Sequence, residues 1–183
     1  ARLLDELLDA SRVTQNKIEL RRRVIDLRSI ATEATDAVRR QAQERGLELT
    51  LDLDEQPMWV HGDATRLQQI QVNLLSNAIK FTPRGGDVRV VTGLGFDRSV
   101  FVAVQDTGTG MSGEAIEAAL KAEVPANPQR KEAGGHGIGL PLARNLAEAN
   151  GARLEIDSAL SEGTAVALVF PRDRVVRGTP LSN

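Results

Sequence analysis

The sequence has no cysteine and no tyrosine, one tryptophan and four phenylalanines among 183 residues. Lacking cysteine, it excludes disulfides, thiolate metal sites and a cysteine nucleophile, and it suits a reducing compartment. Aromatics amount to 3%, too few to expect base-stacking platforms for single-stranded nucleic acid. Neither sign of charge prevails: 23 basic residues stand against 25 acidic ones, for a formal net charge of −2. No global field therefore favours nucleic acid or an anionic membrane, and no nucleic-acid partner is expected. There is no run of 18 apolar residues and no secretory leader pattern, so neither a spanning helix nor a signal peptide is predicted.

The length fits one main domain with at most a small appendage. The sequence begins at Ala1 inside a helical pattern, so it is expected to be part of a longer protein. Residues 1–23 are predicted to be helical. Leu4, Leu7, Ser11, Thr14 and Ile18 follow the 3,4 spacing of a coiled-coil seam, and Arg21, Arg22 and Arg23 form a solvated exit. The main domain is expected over residues 24–171. In it a helix at 27–45 ends on Gly46, and a strand at 47–53 precedes a short one at 59–61. Asp63 caps a helix at 64–81, stopped by Pro83 and Gly85-Gly86. Strands follow at 88–95 and 99–106, then a short helix at 114–121 and a loop over 122–137. A helix at 138–150 stops at Gly151, strands at 153–159 and 164–170 close the domain, and 172–183 forms a loose tail. Three strand pairs joined by short turns predict a mixed sheet rather than a wholly parallel one.

Two patterns point to chemistry. On the helix at 64–81, Leu67, Ile70, Val72, Leu74, Leu75, Ala78 and Ile79 form a broad apolar arc. Arg66, Gln69, Asn73, Asn77 and Lys80 share the other edge. Asparagine is a poor mid-helix residue, and two of them one turn apart suggest a ligand-facing edge. An amide oxygen suits Mg²⁺, and a nearby lysine suits phosphate. The second pattern is a pair of glycine-rich segments: Asp106-Thr107-Gly108-Thr109-Gly110 after a strand, and Gly135-His136-Gly137-Ile138-Gly139-Leu140 opening a helix. Alternating glycines let backbone approach a ligand, and a helix N-terminus attracts an anion. Gly108, Gly110 and Gly113 also match the dinucleotide G-x-G-x-x-G pattern, but the following segment runs into the loop instead of building a βαβ unit.

In this order, Asn73–Thr82 (NLLSNAIKFT), Asp106–Gly110 (DTGTG), Gly135–Leu140 (GHGIGL) and Gly163-Thr164 resemble the catalytic ATP-binding domain of sensor histidine kinases. That domain is a member of the GHKL, or Bergerat-fold, superfamily. Residues 3–20 resemble the end of the dimerisation and phosphoacceptor helix. The resemblance implies an α/β (α+β) two-layer sandwich, with a mixed sheet of about five strands under three helices. It implies ATP and Mg²⁺ as ligands. Asn77 would coordinate Mg²⁺, and Asn73 and Lys80 would approach the phosphates. Asp106 would bind the adenine amino group, with Gly110 giving the base room and Gly108 also among the ATP-binding residues. Gly135, Gly137 and Gly139 would form the phosphate end of a lid, His136, Ile138 and Leu140 would also belong to the ATP-binding residues, and Gly163 and Thr164 would close the adenine side. The implied partners are the phosphoacceptor helix of the same protein, a response regulator, and a second copy through the N-terminal helix. The implied location is cytoplasmic, with the full protein free to be membrane-attached.

Three departures sharpen the expectation. The ATPase members carry a water-activating Glu four residues before the metal Asn; here that position is Asn73, which cannot take a proton at neutral pH. This favours phosphotransfer over hydrolysis. Neither His61 nor His136 fits the phosphoacceptor pattern, so the acceptor is expected outside this sequence. No phenylalanine falls between Met111 and Gly137, where the family often anchors its lid; Leu120 or Val124 would substitute in part. A nucleotide-binding pseudokinase scaffold and another GHKL-type ATPase remain the alternatives.

Overall fold

Val88 and Val90, Val102 and Val104, and Val166 and Leu168 recur at every second position along three strands; Arg89, Phe101, Gln105 and Ala167 beside them are exposed or half-exposed, while Ala103 and Val169 are buried as well. That period of two gives a sheet one wholly apolar face, which must be covered. The computed structural model describes residues 20–121 and 139–176. In chain order the elements are β1 (Arg23–Asp26), α1 (Leu27–Glu44), β2 (Glu48–Asp52), β3 (Trp59–Gly62), α2 (Ala64–Phe81), β4 (Asp87–Leu94) and β5 (Val100–Asp106). Then follow α3 (Gly113–Lys121), α4 (Gly139–Ala149), β6 (Arg153–Ala159), β7 (Gly163–Phe170) and a 3₁₀ turn at Arg172–Arg174.

The main sheet has the order β2-β4-β5-β7-β6. β2 lies parallel to β4 and every other neighbour pair is antiparallel. Helices α1, α2 and α4 cover the apolar face, while α3 packs against α4 and β6. This is the expected two-layer α/β sandwich with a mixed five-stranded sheet. Leu27, Leu67, Ile70, Leu75, Ile79 and Phe170 are fully buried between the layers, and each contributes roughly 1.5–3 kcal/mol by leaving water.

The helix ends are chemically explicit. Gly46 and Gly151 follow α1 and α4 with φ of 67° and 75°. The amides of Leu47 and Ala152 return to the carbonyls of Ala42 and Ala147, so both helices close in Schellman motifs. Asp63 caps α2 by accepting from the amides of Thr65 and Arg66. At the other end of α2, the Arg45 guanidinium donates to the carbonyls of Ile79 and Lys80. Asp26 caps α1 and accepts from the Arg28 and Met58 amides and the Arg28 guanidinium. Burial alone would raise the Asp26 carboxyl, but those hydrogen bonds outweigh it and hold it below its ordinary value. Its stabilisation is therefore complete above the unfolded carboxylate value and lost as pH falls through the lower, folded one.

The chain joins the domain through a clamp. The Arg21 amide donates to Asp63, and the Arg22 guanidinium donates to the carbonyl of Ala149 at the end of α4. The Asp63 amide in turn donates to the buried Asn150 side chain. Several sequence expectations are corrected here. The helix expected over residues 1–23 does not reach Arg23, where β1 starts; its members before Leu20 lie outside the described residues. β1 pairs with β3 as a separate two-stranded ribbon. Residues 47–53 and 59–61 are thus not a hairpin, because β2 finds its partner in β4. At the expected tail, the Val176 amide bonds to the Trp59 carbonyl and Val175 bridges to Val60, so order continues past Pro171. Among the described residues no helix is long and apolar enough to cross a membrane.

Gln71 occupies the centre of the buried arc of α2, whereas Val72 is only half-buried at its edge. Both polar atoms of the Gln71 amide are buried without a hydrogen-bond partner among the described residues. An unsatisfied buried polar group costs about 1–3 kcal/mol. Gln71→Leu is therefore expected to raise unfolding stability by about that amount, read from the midpoint of urea denaturation at unchanged slope. A lower midpoint would show that the amide is satisfied in solution.

Candidate functional site

The antiparallel pairing of β5 with β7 sets Asp106 directly opposite Thr164. Directly opposed residues carry their side chains on one face, roughly 5 Å apart. Both face a cleft between the end of the sheet, α2 and the start of α4. Leu74, Val104, Leu140 and Val166 give the cleft apolar walls, and Asn77 lies at its edge.

Asp106 is half-buried and its Oδ1 accepts the Gly108 amide at 2.8 Å. Burial raises the carboxyl above its ordinary value, against opposing hydrogen bonds from the Gly108 and Thr164 amides. No cationic side chain offsets that desolvation among the described residues. A carboxylate held this way is an acceptor waiting for a donor.

The turn after Asp106 is locked by contacts that only glycine permits. Gly110 has φ of 65°, and a Cβ there would collide with the Ala159 carbonyl. Gly163 has φ of 96°, and its Cβ would collide with the Asp106 carbonyl. Gly108 sits against the Phe81 carbonyl, where a Cβ would come within 2.7 Å. The Thr109 amide donates to that same carbonyl, and the Thr109 carbonyl accepts the Ser161 amide at 2.8 Å. The β6–β7 hairpin thereby holds the floor of the cleft.

The polar edge of α2 forms the other side. Asn73 donates from Nδ2 to the Gly139 carbonyl at 2.8 Å. A Cβ on Gly139 would meet Asn73 Oδ1 at 2.9 Å and Asn77 Nδ2 at 3.1 Å. The N-terminus of α4 thus rests on both asparagines. Asn77 is half-buried, and its amide makes no hydrogen bond among the described residues. Lys80 lies one turn on, its ammonium 4.9 Å from the centre of the Phe81 ring.

Of the expected site residues, Asn77, Asp106, Gly110, Gly139, Leu140 and Thr164 line one cleft; Asn73 and Gly108 brace it, and Lys80 flanks it. Gly135, His136, Gly137 and Ile138 lie outside the described residues. Sequence reasoning missed Ser158, which bonds to Met111, Gly163 and Thr164 at once. Its position opposite Thr164 in the final hairpin is the signal that would have revealed it. His61 lies on β3 before the α2 cap. Asn77 is fourteen residues, about 20 Å along the helix axis, beyond Asp63, and His61 is not among the residues that line the cleft.

Comparison with known proteins agrees with this architecture. The chain is 37% identical over 169 residues to the histidine protein kinase DivJ of Caulobacter vibrioides, covering 92% of this chain and 28% of DivJ. It is 33% identical over 183 residues to the cell-division control histidine kinase PdhS of Brucella abortus, covering 95% of this chain and 18% of PdhS. It spans less than a third of either relative. Full-length ShkA, solved in complex with AMPPNP, superposes with a TM-score of 0.81 at 25% identity, covering 98% of this chain and 37% of ShkA. The family model described as histidine kinase-, DNA gyrase B- and HSP90-like ATPase matches residues 62–174. With a match of that extent, running from the α2 cap through the last strand, the chain belongs to that family.

Proposed function

We propose that this chain is the ATP-binding catalytic module of a two-component sensor histidine kinase, and that it passes the γ-phosphate to a histidine outside this sequence. The observation that carries the reading is the pairing of an uncompensated, half-buried Asp106 at one end of the cleft with Asn73 and Asn77 at the other. Asp106 would accept from the adenine amino group, which selects adenine because a guanine carbonyl there would be repelled. The half-buried, unbonded Asn77 amide supplies a hard oxygen of the kind Mg²⁺ prefers. Bound Mg²⁺ would neutralise phosphate charge and orient the phosphates for transfer. Asn73, Lys80 and the N-terminus of α4 would position the phosphates beside it.

Asn73 stands where a hydrolase needs a carboxylate, and an amide cannot take a proton from water. It is also committed to the Gly139 carbonyl. The cleft is thus built to hold ATP until another nucleophile arrives. His61 does not line the cleft. The acceptor would come from a phosphoacceptor helix of the same protein, which would pair with a second copy and relay the phosphate to a response regulator. The relatives DivJ and PdhS, named as histidine kinases, support that assignment.

Four outcomes are expected. Asp106→Asn weakens ATP binding and narrows its preference over GTP in a competition assay. The same variant stabilises the empty protein at neutral pH. The raised carboxyl binds protons more readily folded than unfolded, so the ionised form costs stability once pH passes above the ordinary carboxylate value. Thermal melts across pH check this: the gap between variant and parent closes as pH falls into the acid range. Asn77→Ala lowers affinity for a non-hydrolysable ATP analogue about tenfold or more with Mg²⁺ present, at an unchanged melting temperature. Calorimetry with equal affinities would remove Asn77 as the ligand. Incubated with radiolabelled Mg-ATP, this chain hydrolyses slowly and gains no phosphohistidine, whereas the full-length protein gains acid-labile, base-stable label. Brisk hydrolysis by the chain would favour an ATPase instead.

A further inference from the structure

Ser158 lies on β6, half-buried behind the wall of the cleft. Among the described residues its hydroxyl oxygen has three polar neighbours, all at 2.8 Å: the Met111 amide nitrogen, the Gly163 carbonyl oxygen and the Thr164 hydroxyl. A serine hydroxyl has one proton to give and two lone pairs to receive. The Met111 amide can only donate, so it takes one lone pair. The Gly163 carbonyl can only accept, so it takes the proton. One lone pair remains, and the only group left to fill it is the Thr164 hydroxyl, which must donate. Only this arrangement satisfies all three contacts. It commits the Thr164 proton to Ser158 and leaves only lone pairs of Thr164 toward the cleft.

Building on the ATP reading above, we infer that Ser158 is a positioning residue for base selection: by capturing the Thr164 proton it fixes Thr164 as a second hydrogen-bond acceptor beside Asp106. The two acceptors stand opposite each other in the β5–β7 register. Asp106 Oδ1 already accepts the Gly108 amide and has no proton to offer as a carboxylate. The wall therefore matches a group with two hydrogens, such as the 6-amino group of adenine. It rejects a 6-keto purine, whose oxygen would face two oxygens with no proton between them. Without Ser158, the Thr164 hydroxyl turns freely and can donate to that keto oxygen. The same hydroxyl anchors the Met111 amide, so the turn carrying Gly110 and the polarity of Thr164 are set by a single atom.

The test compares ATP with inosine triphosphate, which carries the 6-keto group, by calorimetry on this chain with Mg²⁺ present. Parent protein is expected to prefer ATP. Ser158→Ala is expected to narrow that preference about threefold to tenfold, the span of one neutral hydrogen bond, and Ser158→Thr to restore it. In a Thr164→Val background, where no hydroxyl is left to orient, Ser158→Ala is expected to leave the ratio unchanged. A loss of affinity for both nucleotides with a constant ratio would mark Ser158 as merely structural and overturn the inference. An effect of Ser158→Ala that persists in the Thr164→Val background would overturn it as well. If Ser158→Ala does not fold, Thr164→Val alone must narrow the ratio, and an unchanged ratio there refutes the inference. Failure of the Asp106 reading looks different: the parent would show no preference between the nucleotides, or Asp106→Asn would leave it intact, whatever Ser158 does.

Discussion

Everything at the cleft depends on how closely two stretches of backbone approach each other at Gly110 and Gly163. Each glycine adopts a left-handed conformation, and each lies where a Cβ would strike a carbonyl of the other stretch. Any side chain would force the turn after β5 away from the β6–β7 hairpin. Asp106 would then lose its backbone support, and Thr164 would no longer face the same space. The contact also explains the desolvation of Asp106, since the packed turn excludes the water that would otherwise solvate it. Placing a carboxylate there costs folding stability, and the structure retains it without a cation. A group kept at such a cost is better explained by a ligand than by the fold.

The same economy runs through α2. One face supplies the centre of the core, and one edge supplies Asn73, Asn77 and Lys80. Its ends are fixed by unrelated devices, Asp63 at the start and Arg45 at the finish. Fixed ends matter because the asparagine edge has to meet the first turn of α4 within a hydrogen bond. A rotation of α2 by one residue, roughly 100°, would carry the asparagine amides away from Gly139.

Legibility in the sequence followed the range of the interactions. The bounds of α2 could be read because cap, period and stop are all local, and Gly46 and Gly151 marked helix ends because left-handed backbone selects glycine. The cleft residues were legible as spaced motifs, and the missing carboxylate at Asn73 was readable from one position. β1 was not, since four residues after a run of arginines carry little pattern and the partner strand begins at Trp59. The parallel β2–β4 pair leaves no local signature either. Gln71 was passed over because periodicity assigns polar side chains to the outside. Ser158 escaped notice because, although the hairpin register sets it opposite Thr164, its partner Met111 is 47 residues away and joins them only in the folded protein.

The clamp formed by Arg21, Arg22, Asp63 and Asn150 has a mechanical consequence. It fastens the incoming chain to the start of α2 and the end of α4, two rods that meet where Asn73, midway along α2, bonds to Gly139, the first residue of α4. α2, with eighteen residues, is about 27 Å long and stiff on that scale. A tug or twist on the chain is loaded along these rods rather than dissipated in a loose tether. Ahead of the β1–β3 ribbon the chain is held by the two hydrogen bonds of Arg21 and Arg22, so this anchorage yields before the core does.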